Sequence, residues 1–135
     1  MALREPGNII GELARPRPDA GVLAWAAQAS TLVLSVVSVE EIQYGLAWKP
    51  NARVHAWFDR FLETQCRVLP VTEDIARRAG TLRGRFKANG QTRTQADVLI
   101  AATALVHRLT LVTRNEADFE GCGVPLLKPF ARPRA

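Results

Sequence analysis

The chain has 135 residues, a hydrophobic fraction of 47% and a formal net charge of +5 at pH 7. This length and composition are typical of one globular domain with its own core. The apolar run at 98–106 is too short to span a bilayer and the amino terminus lacks a signal-peptide pattern, so we expect neither a membrane nor a secretory protein. Cys66 and Cys122 form neither a disulfide framework nor a zinc or redox motif, which favours the reducing cytoplasm. The basic excess favours a polyanionic partner.

Strand and helix patterns alternate along the chain. Runs of β-branched residues predict strands at 32–37, 67–71 and 109–113, and an edge strand at 124–127 that can accept its proline. Helical periodicity predicts helices around 54–62 and 75–86, and the apolar stretch 98–106 predicts a central helix. A Pro- and Arg-rich break at 15–18 separates two short helices. The pattern predicts an α/β fold, a three-layer α/β/α domain over 1–130 with a central parallel sheet, followed by a loose C-terminal tail at 131–135.

Three acidic residues share one local context, because each follows by three positions a polar residue that can cap a helix. The pairs are Ser38 with Glu41, Thr94 with Asp97, and Asn115 with Asp118. Taken singly, such an acid usually complements the helix dipole, which contributes about 0.3–1 kcal/mol. However, positions 38 and 115 come just after predicted parallel strands, at the sheet edge where open α/β folds build their sites.

Carboxylates that converge without histidine or thiolate ligands indicate a hard cation, Mg²⁺ or Mn²⁺. Such a metal lowers the pKa of a bound water and clamps phosphate oxygens. Glu73 and Asp74 also follow a predicted strand, but they occupy the first two positions after Thr72. We therefore expect them to be exposed residues that complement a helix dipole, outside the site.

Several segments resemble, in order and spacing, the PIN-domain ribonucleases of the VapC/FitB toxin type, which include StbB-like plasmid stability proteins. Residues 38–47 resemble the second acidic motif of that family and residues 94–102 the third. The T-R-N-x-x-D-F stretch at 113–119, followed by Gly123-Val124, resembles the fourth motif. Segments 15–19 and 22–25 resemble the region between its first helices.

The resemblance implies a PIN-like fold and a metal-dependent endoribonuclease that is the toxin component of a type II toxin–antitoxin system. It implies that Asp97, Glu41 and Asp118 hold Mg²⁺ or Mn²⁺, directly or through water. Thr113 and Asn115 would support this site through hydrogen bonds. It further implies an RNA substrate, a homodimer, and a small antitoxin protein whose tail lies across a groove near the metal.

The first motif departs from the family pattern. Residues 8–13 match the helix that follows the family's Asp-Thr-Asn, and an ungapped alignment then puts Pro6 at the first catalytic aspartate. Proline cannot bind a metal. Glu5 is the nearest acid; on a strand it would point to the opposite face, although Gly7 could permit a slip that turns it inward. Two hypotheses follow: an active nuclease that uses Glu5 as a metal ligand or works without a first carboxylate, or a catalytically weakened PIN-like module that retains antitoxin or RNA binding.

Six basic residues precede Asp97, and they have two interpretations. They are a solvated helix face, or a surface that follows the phosphates of a nucleic acid beside the metal. The six are Arg77, Arg78, Arg83, Arg85, Lys87 and Arg93.

Overall fold

The centre of the molecule is a five-stranded sheet. The structure, a computed structural model, describes residues 2–3 (backbone only), 9–29 and 31–131. The strands are β1 (Ala2–Leu3), β2 (Leu32–Ser35), β3 (Cys66–Leu69), β4 (Leu111–Val112) and β5 (Leu126–Leu127). Their order is β3-β2-β1-β4-β5, and every neighbouring pair is parallel. This confirms the predicted parallel sheet, with β5 at an edge as expected, although the strands are shorter than predicted.

Helices cover both faces of this sheet. They are α1 (Ile9–Leu13), α2 (Ala20–Gln28), α3 (Val36–Trp48), α4 (Ala52–Thr64), α5 (Glu73–Ala88) and α6 (Gln95–Val106), and a 3₁₀ helix spans Glu116–Phe119. Adjacent residues of β4 point to opposite faces, as strand geometry requires. Val112 packs with Ile9 and Phe58 in one core, whereas Leu111 packs with Ile100 in another. The arrangement is the predicted three-layer α/β/α fold. No helix in the described part of the chain is both long and apolar enough to cross a membrane.

The second strand ends earlier than its β-branched sequence predicts. Helix α3 begins at Val36, and the side chain of Ser35 caps it by accepting the N–H of Val37 at 3.1 Å. Ser38 is a buried residue inside the helix, so its predicted role as the N-cap is wrong. The reason is that Ser35 already offers a cap oxygen, which lets Val36 and Val37 take helical rather than extended backbone.

The carboxylate of Asp19 joins the start of α2 to Ala131, the last described residue. Its Oδ1 accepts the N–H groups of Gly21 at 2.8 Å and Val22 at 3.3 Å, which caps α2, and also that of Ala131 at 2.8 Å. The Asp19 N–H is held in turn by Oε2 of buried Glu12 at 2.8 Å. Ala131, assigned from the sequence to a loose tail, is therefore bonded to the fold; residues 132–135 lie outside the described residues.

Gly21 packs closely against the C-terminal segment, whereas Gly80 faces open space. The two glycines are therefore a matched pair for substitution by alanine. A Cβ at Gly21 would collide with the carbonyl oxygen of Pro129 and lie 2.7 Å from the nitrogen of Ala131, whereas one at Gly80 of α5 would meet nothing within 4 Å. We expect Gly21→Ala to lower the free energy of unfolding by about 1–3 kcal/mol through overpacking. Gly80→Ala should raise it by about 0.5–1 kcal/mol, because alanine favours the helix. Urea denaturation measures both, and a stabilised Gly21→Ala protein would contradict this account of the C-terminal segment.

Candidate active site

Asp97 is a buried carboxylate in the first turn of α6. Its N–H donates to Oγ1 of Thr94 at 3.1 Å, and only 5% of the residue is exposed. This confirms the predicted cap. A short connection joins the end of α6 to the start of β4, so the first turn of α6 lies toward the opposite end of that strand. That end of β4 lies at the edge of the sheet formed by the carboxyl ends of the parallel strands.

Glu41 lies on α3, the helix that follows β2. Because α3 begins at Val36, Glu41 is in its second turn and not at the predicted third position after a cap. The residue is half-buried, and its Oε1 atom is withdrawn from solvent. Glu41 is therefore placed by the packing of the helix and not by a capping bond.

Thr113 and Asn115 shape the chain where it leaves β4. Thr113 is buried, donates its N–H to the carbonyl oxygen of Leu127 at 3.0 Å, and accepts the N–H of Asn115 on Oγ1 at 3.0 Å. The carbonyl oxygen of Asn115 accepts the N–H of Asp118 at 3.1 Å. The Asn115 side chain makes no capping bond to the 3₁₀ helix, so the predicted side-chain cap is wrong. The threonine hydroxyl forms this turn instead.

Asp118 lies on the 3₁₀ helix beside an open polar cleft. The cleft has a volume of about 490 Å³ and is also lined by Arg114, Asn115 and Lys128. The guanidinium of Arg114 stacks on the ring of Phe130 at 3.9 Å from its centroid. The cleft is therefore bordered by two cations and by two acidic residues, Glu116 and Asp118.

The fold brings the three elements that carry the predicted acids into contact. Helix α6 touches both α3 and the 3₁₀ helix. The donors, all carboxylate oxygens, suit a hard cation by their chemistry. However, within the described ranges no three His, Cys, Asp or Glu side chains form a group that could hold a metal ion. The fourth predicted ligand, Glu5, lies outside the described residues.

The two acids excluded by the sequence argument, Glu73 and Asp74, are exposed in the first turn of α5. Glu73 pairs with Arg77 at 2.8 Å and Asp74 pairs with Arg78 at 3.3 Å. Their predicted position at a helix start is confirmed. These pairs also neutralise two of the six basic residues that precede Asp97.

Arg93 connects two loops that flank the candidate acids. It directly precedes Thr94, its Nη2 donates to the carbonyl oxygen of Glu120 at 3.1 Å, and its guanidinium stacks on Phe86 at 4.5 Å from the ring centroid. The loop before Asp97 is thereby tied to the loop after Asp118. Sequence reasoning counted Arg93 only as surface charge, since no local pattern predicts a contact across 27 residues.

Two charged groups near the candidate site act on the buried thiol of Cys122. Burial raises the pKa of this thiol, while the Arg93 guanidinium lowers it and the Asp97 carboxylate raises it further. Arg93 and Asp97 are therefore both within electrostatic range of one sulfur atom. The other thiol, Cys66, is also free, and burial raises its pKa to about 11, which makes it a poor nucleophile at neutral pH.

An apolar groove runs beside Glu41 between α1, α3 and α4. Its volume is about 170 Å³. Ile42, the next residue after Glu41, lies in its wall. The walls also include Ile10, Ala14, Leu46, Val54 and Trp57. Elsewhere on α3, Tyr44 and Trp48 are 68% and 72% exposed, so this i, i+4 pair adds apolar surface to the helix.

Comparison with known proteins identifies this arrangement. The sequence profile of the PIN domain matches residues 7–121. The chain belongs to the PIN-domain family. This confirms the fold and the family that the sequence motifs predicted. The matched region of the PIN domain begins at Gly7, one position after Pro6.

Relatives of this PIN domain cover nearly its full length. The VapC ribonuclease Y4jK of Sinorhizobium fredii is 36% identical over 131 residues, which are 91% of this chain and 94% of the relative. The crystal structure of FitAcB from Neisseria gonorrhoeae has a TM-score of 0.78 at 31% identity and covers 96% of this chain and 98% of that one. A toxin–antitoxin complex from Klebsiella pneumoniae has a TM-score of 0.72 at 27% identity and covers 96% and 98%.

Proposed function

We propose that this PIN-domain chain is a divalent-metal-dependent endoribonuclease, the toxin of a type II toxin–antitoxin pair. The observation that carries the proposal is the buried carboxylate of Asp97 in the first turn of α6, in a chain that is 36% identical to a protein named as a ribonuclease. The net charge of +5 suits an RNA substrate. The cytoplasm, where RNA is available and free thiols persist, is the proposed location.

Asp97, Glu41 and Asp118 would hold Mg²⁺ or Mn²⁺, directly or through water, because carboxylate oxygens are the ligands that these ions prefer. When bound, the ion would lower the pKa of a water molecule and neutralise charge on the phosphodiester. Thr94 fixes the backbone of Asp97 through its cap. Thr113 and Asn115 would hold the turn that presents Asp118, through the hydrogen bonds at the exit of β4.

Substitution of Asp97 tests the metal site. We expect Asp97→Asn to weaken Mn²⁺ binding at least ~10-fold, since even outer-shell changes at metal sites cost 10- to 100-fold, and to abolish cleavage of a labelled RNA. Calorimetric titration measures the affinity. The matched control is Asp74→Asn, which removes an exposed, Arg78-paired carboxylate from another helix start. Equal effects of the two substitutions would show that Asp97 is not a ligand.

A second candidate function is a PIN-like module with weakened catalysis that retains RNA or antitoxin binding. Two observations favour it. Pro6 stands at the expected first aspartate, outside the matched region that begins at position 7. In addition, no three His, Cys, Asp or Glu side chains among the described residues form a group that could hold a metal ion. Fewer anionic oxygens would lower both metal affinity and water activation.

Positions 5 and 6 separate the two candidates. If the first ligand is missing, Pro6→Asp should raise Mn²⁺ affinity and RNA cleavage together, and Glu5→Gln should change little. If Glu5 is the ligand, Glu5→Gln should abolish cleavage, and Pro6→Asp should crowd the site or disturb the local backbone. We favour the missing ligand, because the ungapped alignment needs no special backbone. Cleavage of a labelled RNA, with EDTA controls, distinguishes these two cases. RNA cleavage that neither substitution affects would refute this account of the first motif.

The proposed partner is a small antitoxin protein whose apolar segment lies in the groove between α1, α3 and α4. The support is the groove itself, which is almost entirely apolar and lies beside Glu41, and the likeness to a chain solved in a toxin–antitoxin complex. An amphipathic helix with a continuous apolar stripe suits such a groove.

A charge in the groove tests this partner. We expect Val54→Glu, in the groove wall, to abolish co-purification with the co-expressed antitoxin, because binding would bury an unpaired carboxylate. Ala56→Glu, on an exposed position of the same helix, is the control and should leave the complex intact. Thermal melting of the free proteins confirms that both fold. Retention of the complex by both variants would place the antitoxin elsewhere.

We also propose that the protein is a homodimer, as the family resemblance implies. The exposed Tyr44 and Trp48 supply apolar surface of the kind that association buries. Light scattering of the purified protein gives the mass that tests this state.

A further inference from the structure

The basic residues of α5 fall into two groups that differ in pairing. Arg77 and Arg78, near the start of the helix, are held by the carboxylates of Glu73 and Asp74 at 2.8 Å and 3.3 Å. Arg83, Arg85 and Lys87, nearer its end, have no carboxylate partner anywhere in the described ranges. An exposed i, i+4 pair largely cancels its own field at a distance. The positive field of this helix is therefore concentrated at its C-terminal half.

Two of these unpaired cations, Arg83 and Lys87, share a pocket with Arg93. The pocket has a volume of about 230 Å³ and is lined by Arg83, Lys87, Gln91, Thr92 and Arg93. None of the five carries a negative charge, and the Gln91 amide and Thr92 hydroxyl can also donate hydrogen bonds. A helix C-terminus explains a cation such as Lys87 in its last turn, but not Arg93 beyond the end of the helix. The shared chemistry is that of an anion site.

The guanidinium of Arg93 is already fixed in place. It stacks on Phe86, donates to the carbonyl oxygens of Thr92 at 3.3 Å and Glu120 at 3.1 Å, and is half-buried. Its Nε is buried and has no acceptor among the residues described. A preordered arginine loses little side-chain entropy when it binds a phosphate. Arg83 and Lys87 are exposed and can adjust around it.

The pocket adjoins the candidate active site. Arg93 is followed directly by Thr94, whose hydroxyl caps the backbone of Asp97. Arg93 and Asp97 both act electrostatically on the thiol of Cys122. An anion held at Arg93 would therefore lie near the loop that leads into Asp97.

We propose that the pocket of Arg83, Lys87 and Arg93 binds a backbone phosphate of single-stranded RNA that neighbours the phosphodiester placed at Asp97. The inference rests on the proposed ribonuclease function and deepens it by naming a substrate subsite. Phosphate contacts of this kind fix the register of a strand without reading its bases. The subsite therefore positions RNA and leaves sequence preference to other contacts.

The test measures RNA binding without metal, by fluorescence anisotropy of a short labelled single-stranded RNA in EDTA over a range of salt concentrations. Each phosphate contact on a single strand contributes about 0.7 to the slope of log affinity against log salt. We expect Arg83→Gln with Lys87→Gln to flatten the slope by about 0.7, the loss of one phosphate. The matched control, Arg77→Gln with Arg78→Gln, removes the same charge from the paired half of α5 and should leave the slope nearly unchanged.

The outcomes separate this inference from the proposed function. Equal flattening by both double variants would mean that net charge alone acts, and would overturn the subsite even if the protein cleaves RNA. An unchanged slope in the Arg83 and Lys87 variant would overturn it in the same way. Selective flattening in a protein that does not cleave RNA would support the subsite and assign the chain to the binding-module candidate. Absence of RNA binding by the unsubstituted protein in EDTA would overturn the subsite, and RNA cleavage in the presence of Mn²⁺ would still decide the proposed function.

Discussion

The parallel direction of all five strands is the constraint on which the candidate site depends. Because parallel neighbours cannot be joined by tight turns, the chain must leave each strand at one edge and return across the sheet before the next. The exit from β2 leads into the helix of Glu41, and the exit from β4 leads into the turn of Thr113 and Asp118. Helix α6, which returns toward the start of β4, begins at that edge with Asp97. Strand direction therefore brings the elements that carry these residues to one edge of the sheet.

The sequence alone was enough to predict features that depend on residues close together in the chain. Thr94 and Asp97 are three residues apart, and their capping bond appears as predicted. The same spacing failed for Ser38 and Glu41, because a second serine at position 35 caps the helix one turn earlier. The bond between Asp19 and Ala131 spans 112 residues and leaves no local trace. Whether the candidate carboxylates come together likewise depends on how α3 packs against α6. The spacing of apolar residues along the sequence does not predict that packing.

The basic residues of α5 show that the positive field of a helix depends on which cations are paired and not only on how many there are. Glu73 with Arg77 and Asp74 with Arg78 are i, i+4 pairs that the sequence itself contains. When these paired arginines are set aside, fewer cations remain to act on a ligand. The fold then brings Arg93 from the following loop to Arg83 and Lys87. A uniform solvated face would keep its cations apart to limit repulsion. Here three of them share one pocket, with one guanidinium fixed against an aromatic ring, so the clustering has to be offset by contacts of the fold or by an anion.

The candidate metal site and the candidate partner groove share one structural element. Glu41 and Ile42 are neighbours on α3: the first has a buried carboxylate oxygen, and the second lines the apolar groove. A groove ligand that moved or fixed α3 would act on both residues, because they share this helix. Such linkage is reciprocal, so a metal bound at Glu41 would alter affinity in the groove by the same factor that a groove partner alters affinity for the metal.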